Sequence, residues 1–308
     1  MTTAFMAFIL SFLALVFFYM IIILAFNLQF GQAGVANFGI VVFAMLGAYI
    51  TAILMVDSSA ISWIKVGFNM PFLPALLIAV IATGLIAWLV SAVVRFGEEE
   101  VVVLTLAFAA FVHIVIENET QLTGGTKGIY ISSILDEMLG LFGYNIAFAG
   151  ILLVVALLTY YFTRKLNFSQ FGRILNAIRQ DETKAKSLGI DTVSYRTKAF
   201  VIGCMIMAAA GGLYMYLTLK ALPDTYPVLI TFVMWISLLL GGSGNNRGAV
   251  LGLAIFMSLD LLARLFLNIP GHPEIAAGLK FVIIGLVLIV VIIRRPQGIL
   301  GPKRSRYE

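Results

Sequence analysis

Charged residues and cysteines are scarce in this chain of 308 residues. Only 11% of its residues are charged and 61% are hydrophobic, against about 25% charged in an average soluble domain. The surface of a soluble protein has to be largely polar and charged, so this composition excludes a soluble enzyme and a disordered tail. Cys204 is the only cysteine, which excludes an internal disulfide and a cysteine-based metal site.

Signatures of catalysis and of nucleotide binding are also missing. The glycine-rich stretch at residues 240–252 is not followed by the GK[ST] of a phosphate-binding loop. The two histidines, His113 and His272, are far apart in sequence, and no serine has an evident histidine and acid partner. We therefore expect a protein that is not an enzyme and that itself binds no cofactor and no metal.

Long apolar runs dominate the sequence instead, and a membrane helix needs about 20 such residues. The predicted spans are residues 5–26, 38–56, 71–94, 101–116, 146–162, 199–219, 228–240, 249–267 and 275–293. The fourth and seventh are short, so the expected count is about nine, with eight to ten open. Continuous runs exclude an outer-membrane barrel. The first run is too long for the core of a signal peptide and has no basic flank, so we expect it to stay as a span.

Basic residues concentrate in two segments, and these give the predicted orientation. Residues 163–198 carry eight Lys and Arg, and residues 294–308 carry five; because basic loops stay in the cytoplasm, we expect both segments there. The four predicted spans between them are an even number, as two segments on one side require. Five spans before the loop put the N-terminus outside. The net charge of +5 is thus an orientation signal and does not indicate nucleic acid as a partner.

The stretch NLQFGQAGVANFG at residues 27–39 has no charge and is rich in glycine and amides. Such residues at membrane depth suit a broken helix that lines a polar cavity, and a short loop between two helices is an equal alternative. On the first interpretation, the candidates for a transport path are Gln29, Gly31, Gln32, Gly34 and Asn37.

The basic loop contains FGRILNAIRQDETKAKSLGID from residue 171, which predicts a short amphipathic helix between two turns. Apolar residues recur at helical spacing at Ile174, Leu175, Ile178, Ala185 and Leu188. Asp181 is the predicted N-cap of a helix over residues 182–188, and Gly189 suits the left-handed position that ends it. A helix that only rests on anionic lipid does not need the acids Asp181, Glu182 and Asp191, which favours docking on a partner.

Two further patterns concern helix packing. Gly244, Gly248 and Gly252 repeat every four residues, a spacing that lets two membrane helices approach closely. Asp260 and Arg264 lie four residues apart within a predicted span, so they share a helix face and are expected to form a structural ion pair. A functional role is the alternative, because charges inside a membrane are functional candidates.

Five stretches, spread over nearly the whole chain, occur in an order typical of one membrane protein family. They are residues 30–39 running into Gly-Ala-Tyr at 47–49; LTLAF at 104–108 followed by LTGG at 122–125; FGR at 171–173 with AIR at 177–179, Asp181-Glu182 and LGI at 188–190; LGG at 240–242 with Gly248 and Gly252; and RPQG at 295–298 with Leu300-Gly301. On these residues the chain resembles the permease subunit of a branched-chain amino-acid ABC importer of the high-affinity uptake family.

The resemblance implies an all-α, polytopic inner-membrane helix bundle with one permease domain over residues 1–308 and a cytoplasmic tail at residues 294–308. It implies that the loop at residues 163–198 docks on ATPase subunits and that its acids face basic groups there. The coupling residues it implies are Arg173, Ala177, Arg179, Asp181, Glu182, Ala185 and Gly189. The implied partners are a homologous second permease or a second copy, two cytoplasmic ATPases that bind the ATP, an extracytoplasmic solute-binding protein and membrane lipid. The implied mechanism is alternating access.

Three alternatives stay open at this point. An ABC permease for another small solute, such as urea, a short amide or a sugar, has the same architecture. An ion-coupled secondary carrier needs carboxylates near the middle of the membrane, and only Asp260 lies near such a position. An intramembrane enzyme lacks a catalytic constellation.

Overall fold

The computed structural model describes residues 2–57, 66–131, 134–266, 285, 293–294 and 298–301. Its long helices are α1 (Thr2–Phe26), α2 (Ile40–Met55), α3 (Phe72–Val90), α4 (Glu98–Asn118), α6 (Ile134–Phe168), α9 (Thr192–Thr218), α10 (Leu229–Gly241) and α11 (Asn246–Phe266). Shorter helices are α5 (Thr120–Thr123), α7 (Gln170–Gln180) and α8 (Glu182–Ser187). Asn27–Gln32 forms a π-helix, and Ser91–Arg95, Gly125–Lys127 and Pro223–Thr225 form 3₁₀ turns. The all-α class is confirmed for these residues.

The long helices run alternately between two ends of the bundle. One end, called here the loop end, carries the loop helices α7 and α8. α9 leaves the loop end, and α6 runs towards it, because Tyr144 Oη near the start of α6 donates to Leu217 O near the finish of α9 (2.5 Å). α10 and α11 are antiparallel, since Gly241 lies against Gly248 at the loop end. At the opposite end, β1 (Ile129–Tyr130) pairs antiparallel with β2 (Lys220–Ala221).

α9 lies at the centre of the bundle, packed most closely against α2. A Cβ added to Gly211 would lie 1.8 Å from Ala44 O, and one added to Gly47 would lie 2.1 Å from Ala208 O. The backbones of the two helices therefore touch where glycine faces alanine. Close backbone approach through small residues is how membrane helices associate. It holds the start of α2, and with it the uncharged segment before α2, against α9.

Among the described residues, six helices are long and apolar enough to cross a membrane, and they coincide with six of the predicted spans. They are Met6–Gln32, Phe72–Arg95, Glu99–Asn118, Ile146–Phe168, Thr192–Thr218 and Pro223–Gly241. α2, with 16 residues, is shorter, and α11 carries three charged residues. The predicted span at residues 275–293 lies almost wholly outside the described residues. The chain is thus a multi-pass helical protein, and the count of nine spans stays a prediction.

The predicted glycine stripe divides between a turn and a helix. Gly248 and Gly252 lie on α11, and a Cβ on Gly252 would lie 2.0 Å from Ser237 O of α10. Gly244 precedes the helix and has φ +92°, so its place on a helix face was wrongly predicted. Its added Cβ would meet Gly31 O at 2.9 Å and Arg179 Nη1 at 2.8 Å. Gly244 therefore brings the α10–α11 turn against the uncharged segment and the loop.

Candidate functional site

The uncharged segment begins as a continuation of α1, in which the helix widens to a π-helix over Asn27–Gln32. Its last turns close with Ala33 N donating to Leu28 O (3.3 Å) and Val35 N donating to Gln29 O (2.9 Å). Residues 33–39 are not helical, and α2 begins at Ile40. The segment is therefore a distorted helix end over residues 27–32 and a short connection to α2 over residues 33–39. π-helical turns occur frequently at functional sites.

Two of the predicted path residues are fully buried and bind each other. Gln29 Nε2 donates to Phe200 O (2.8 Å) and to Cys204 Sγ (3.3 Å) on α9, and Asn37 Nδ2 donates to Gln29 Oε1 (3.0 Å). Asn37 Oδ1 accepts from Gly39 N (2.7 Å). In this conformation both amides hold the segment in place, because their hydrogen-bonding groups are used inside the protein.

A buried amide cluster ties the segment to α6 and α11. Asn246 Oδ1 accepts from Asn27 Nδ2 (2.8 Å) and Asn167 Nδ2 (3.1 Å), and Asn246 Nδ2 donates to Thr163 Oγ1 (2.9 Å). Gly244 N donates to Asn27 Oδ1 (2.8 Å). The sequence analysis missed this cluster, although three asparagines close to predicted span ends were a visible signal. No spacing rule connects residues that lie 219 positions apart.

The loop folds as two helices joined at Asp181, with the predicted caps in place. Asp181 Oδ1 accepts from Lys184 N (2.9 Å), and Asp191 Oδ1 accepts from Ser194 N at the start of α9 (3.1 Å). Gly189 has φ +79°, the left-handed conformation that closes a helix. The N-cap and the terminating glycine are therefore confirmed. The hydrogen bond from the Lys184 backbone lowers the pKa of Asp181 below its usual range, and the Lys184 side chain adds to this.

Glu182 fastens α8 to α9. Its Oε2 accepts from Arg196 Nη1 (3.1 Å), and its Oε1 accepts from Thr192 Oγ1 (3.1 Å) and pairs with Lys186 Nζ (2.9 Å). Burial opposes ionisation of this carboxyl, but the bond from Lys186 and the charge of Arg196 outweigh it, so the pKa of Glu182 is lowered. Asp181, Glu182 and Asp191 thus all have partners within the chain. The expectation that they also face basic groups on another subunit stays a prediction.

Two arginines connect the loop to the end of the π-helix. Arg179 donates through Nη1 to Gly31 O and through Nη2 to Ser243 Oγ (2.9 Å). Arg196, which is 5% exposed, donates through Nη2 to Gly34 O (3.1 Å). The last carbonyls of a helix have no intrahelical donor and carry partial negative charge, so cations are favourable there. The predicted path residue Gly31 is therefore in direct contact with the predicted loop residue Arg179, and Gly34 is in direct contact with Arg196.

Comparison with known proteins decides the family. A model of the branched-chain amino acid transport system permease component matches residues 8–292. The chain belongs to this permease family. It is therefore a multi-pass membrane permease of a branched-chain amino acid ABC transporter, and the family transports solutes rather than catalysing a reaction.

Similar curated proteins come from both subunit types that their names distinguish. The probable branched-chain amino acid transport permease protein LivM of Methanocaldococcus jannaschii is 28% identical over 92% of this chain and 91% of its own length. The high-affinity permease protein LivM of Escherichia coli is 24% identical over 94% of this chain and 69% of its own length. The corresponding protein LivH of Escherichia coli is 25% identical over 92% of this chain and 91% of its own length. No solved structure matches the permease.

The predicted coupling residues in the loop of the permease differ in burial, and they fall into an inner and an outer set. Ala185 is buried and Glu182 is half-buried, so both hold the loop together. Arg173 and Ala177, four residues apart on α7, are exposed. Leu188 is 81% exposed, because α8 ends at Ser187 and the Gly189 turn follows. Leu188 thus differs from Leu175, Ile178 and Ala185, which recur with it at helical spacing in the sequence and are buried.

Gln32 and Asp260 are the two remaining predicted sites of the permease. Gln32 is 1% exposed and lies in the wall of a polar cavity with Arg164 and Asn245, unlike the bonded pair Gln29 and Asn37. Asp260 is buried on α11, and the side chain of Arg264 lies outside the described structure. The pairing of Asp260 with Arg264 stays a prediction.

Proposed function

We propose that this chain is the membrane-spanning subunit of an importer for branched-chain amino acids, driven by separate ATPase subunits. The family membership and the names of the relatives support the solute class. Similarity to both LivM and LivH proteins supports a complex with a second permease, either homologous or a second copy. The two ATPases, which bind the ATP, and an extracytoplasmic solute-binding protein complete the proposed complex.

The loop helices carry this proposal, because they present one side to the outside and attach to the bundle by the other. The outer side, called here the docking face, consists of the exposed residues Arg173, Ala177, Lys184 and Leu188. An exposed leucine among basic residues on two short helices suits insertion into a groove of a partner protein. We place this face in the cytoplasm, where the basic loop belongs by the distribution of Lys and Arg.

The attachment gives a physical route for coupling. Pressure on the docking face moves α7 and α8, and Arg179 and Arg196 transmit that movement to Gly31 and Gly34 at the end of α1. The close contact of Gly31 with Gly244 passes it to the α10–α11 turn. Such a coupled set of elements supports alternating access, in which ATP binding on the partner favours one of two conformations of the bundle.

The composition of the uncharged segment suits a zwitterionic solute. Gln29, Gln32 and Asn37 are amides, which offer both donors and acceptors without a net charge. Gln29 and Asn37 use these groups inside the protein in the conformation described above, so they become available to a passing amino acid only when the segment changes conformation. Selectivity then resides mainly in the solute-binding protein, and the permease supplies the path.

The decisive experiment is solute-stimulated ATPase activity of the reconstituted complex. Leu188→Arg places a cation on the docking face without disturbing a contact inside the permease, and we expect stimulation to fall by about tenfold or more, as hot-spot residues at interfaces do. Leu188→Met keeps an unbranched apolar side chain there and is expected to keep stimulation near the wild-type level.

Two outcomes contradict the proposal in different ways. Unchanged stimulation in Leu188→Arg, with the ATPases still bound, excludes docking through this face. Solute uptake that persists without ATPases and follows an ion gradient excludes the ABC mechanism and favours an ion-coupled carrier.

A further inference from the structure

A polar cavity lies at the loop end, and its walls come from four elements that are distant in sequence. Its volume is about 530 Å³, which is within the usual range of ligand sites, roughly 300–1,000 Å³. Its polar lining includes Gln32 of the π-helix, Arg164 and Asn167 of α6, Asn176 of α7, and Asn245 and Arg247 at the entry to α11. These are the elements whose relative movement the proposed mechanism requires.

The charge of this cavity has one sign. Arg164 and Arg247 keep their guanidinium charges at any physiological pH, and no acid is among its described lining residues. A cleft lined by charges of one sign concentrates its field inside the cleft. Guanidinium groups bind carboxylates through paired, charge-assisted hydrogen bonds. The cavity therefore favours a ligand with a carboxylate or another oxyanion.

The same residues also hold two amide oxygens that accept no hydrogen bond from the described part of the chain. Gln32 is 1% exposed, and its Oε1 has no partner there. Asn167 donates through Nδ2 to Asn246 (3.1 Å), while its Oδ1 is buried without a donor. A buried acceptor without a donor is unfavourable, and the terminal torsion of glutamine turns easily. Neither oxygen is exposed to the cavity in this conformation, so an ammonium group that enters the cavity supplies the missing donors once the terminal torsions of the two amides turn towards it.

We propose that this cavity binds a free α-amino acid from the cytoplasmic side. Arg164 and Arg247 hold the carboxylate, and the oxygens of Gln32 and Asn167 accept from the ammonium group. A solute bound there bridges α1, α6, α7 and the entry to α11, and so stabilises the conformation in which these elements enclose it. Solute that accumulates in the cytoplasm therefore slows further import. This inference rests on the importer function proposed above.

The test uses the complete complex in proteoliposomes with the ATPases and ATP inside and the binding protein outside. The initial rate of labelled leucine uptake is measured with and without millimolar unlabelled leucine inside. We expect internal leucine to lower the rate by about fivefold or more, the lower range of ordinary coupling between sites. Arg164→Gln is expected to remove most of this inhibition while uptake into empty vesicles persists. Lys165→Gln, which removes a neighbouring charge outside the lining, is expected to be inhibited like wild type.

Two further measurements test which groups of the ligand are needed and whether lipid occupies the cavity instead. Internal 4-methylpentanoate, which lacks the ammonium group, and internal 3-methylbutylamine, which lacks the carboxylate, are each expected to inhibit at least about tenfold more weakly than leucine, because one half of the site is left unpaired. The uptake rate is also compared between vesicles with and without anionic lipid. If anionic lipid lowers the rate and internal leucine does not, the cavity is assigned to a phosphate headgroup and the proposal is overturned.

Failure of the importer function and failure of the cytoplasmic site give different results. No leucine uptake by the wild-type complex contradicts the importer function itself. Uptake that is indifferent to internal leucine, or inhibition that Arg164→Gln and Lys165→Gln leave equally strong, contradicts only the cytoplasmic site. If Arg164→Gln does not assemble, direct binding of labelled leucine to the wild-type complex without binding protein decides, and its absence overturns the inference.

Discussion

At the scale of single residues, the acids of the basic loop stabilise the loop itself. Asp181 and Asp191 cap α8 and α9, and Glu182 joins α8 to Arg196 at 3.1 Å. An acid among bases has two explanations in a sequence, a partner in another protein or a partner in its own fold. The caps were predictable because capping is local, whereas Arg196 lies 14 residues from Glu182 and no local rule pairs them.

The lowered pKa of Glu182 gives a pH dependence with a defined sign. Because the folded state holds the carboxylate more firmly than the unfolded chain does, this contribution is complete above the ordinary glutamate pKa of about 4.3. It is lost as the pH falls through the lower pKa of the folded state. We expect the protection factors of the α8 amides, which correct the exchange rates for their intrinsic slowing in acid, to fall over that acid range in the wild type. In Glu182→Gln we expect fast exchange already at pH 7, and slow exchange in this variant would contradict the fastening role.

Glycine contacts between α2 and α9 predict a difference between two chemically identical substitutions. Gly211→Ala places a methyl group 1.8 Å from Ala44 O, and overpacking of this kind costs about 1–3 kcal/mol. Gly150→Ala on α6 meets nothing within 4 Å and gains up to about 1 kcal/mol from helix propensity. Thermal unfolding in one detergent measures both variants. Equal melting temperatures would show that α2 and α9 do not touch as described.

At the scale of elements, the uncharged segment shows what a sequence pattern can predict and what it cannot. Its lack of charge, its glycines and its amides predicted an unusual backbone between two helices, and a π-helix stands there. The partners of its side chains were beyond prediction, because Gln29 binds α9 and Asn27 binds α11. Those contacts depend on which helices are neighbours in space. Apolar periodicity carries little of that information when helices are hydrophobic all round.

The Asn27–Asn246 cluster predicts an element-scale effect of a single amide. Asn246→Ala leaves Asn27 Nδ2 and Asn167 Nδ2 without their shared acceptor, and each buried unsatisfied group costs about 1–3 kcal/mol. We expect a lower melting temperature and faster protease cleavage between α10 and α11. Asn246→Gln is the matched comparison, because it keeps the amide group on a side chain that is one methylene longer. If Asn246→Ala is as stable as wild type, the cluster does not join α1, α6 and α11.

At the scale of the whole molecule, the loop and the described residues 298–301 of the tail lie at the same end of the bundle, the arrangement that the charge pattern requires. Ile299 N donates to Leu240 O (3.0 Å) and Leu300 N donates to Gly241 O (2.9 Å), at the α10–α11 turn that Arg179 also contacts through Ser243. α11 leads away from this end, antiparallel to α10. Residues 298–301 lie at the loop end again, and the span at residues 275–293 that the sequence predicts between them and α11 stays a prediction.

This topology makes the orientation measurable with single cysteines. Cys204 is fully buried, so the wild type is expected to take up little of a membrane-impermeant maleimide. Leu188→Cys and Leu300→Cys at the loop end are expected to react in inverted membrane vesicles and to stay unlabelled in intact cells, because basic segments face the cytoplasm. Tyr130→Cys, 51% exposed at the opposite end, is expected to show the reverse. Labelling of Leu188→Cys from outside would show that the permease has the opposite orientation, in which the docking face cannot contact a cytoplasmic ATPase. Labelling of the two loop-end cysteines from different sides would require an odd number of spans between residues 188 and 300 and contradict the four predicted there.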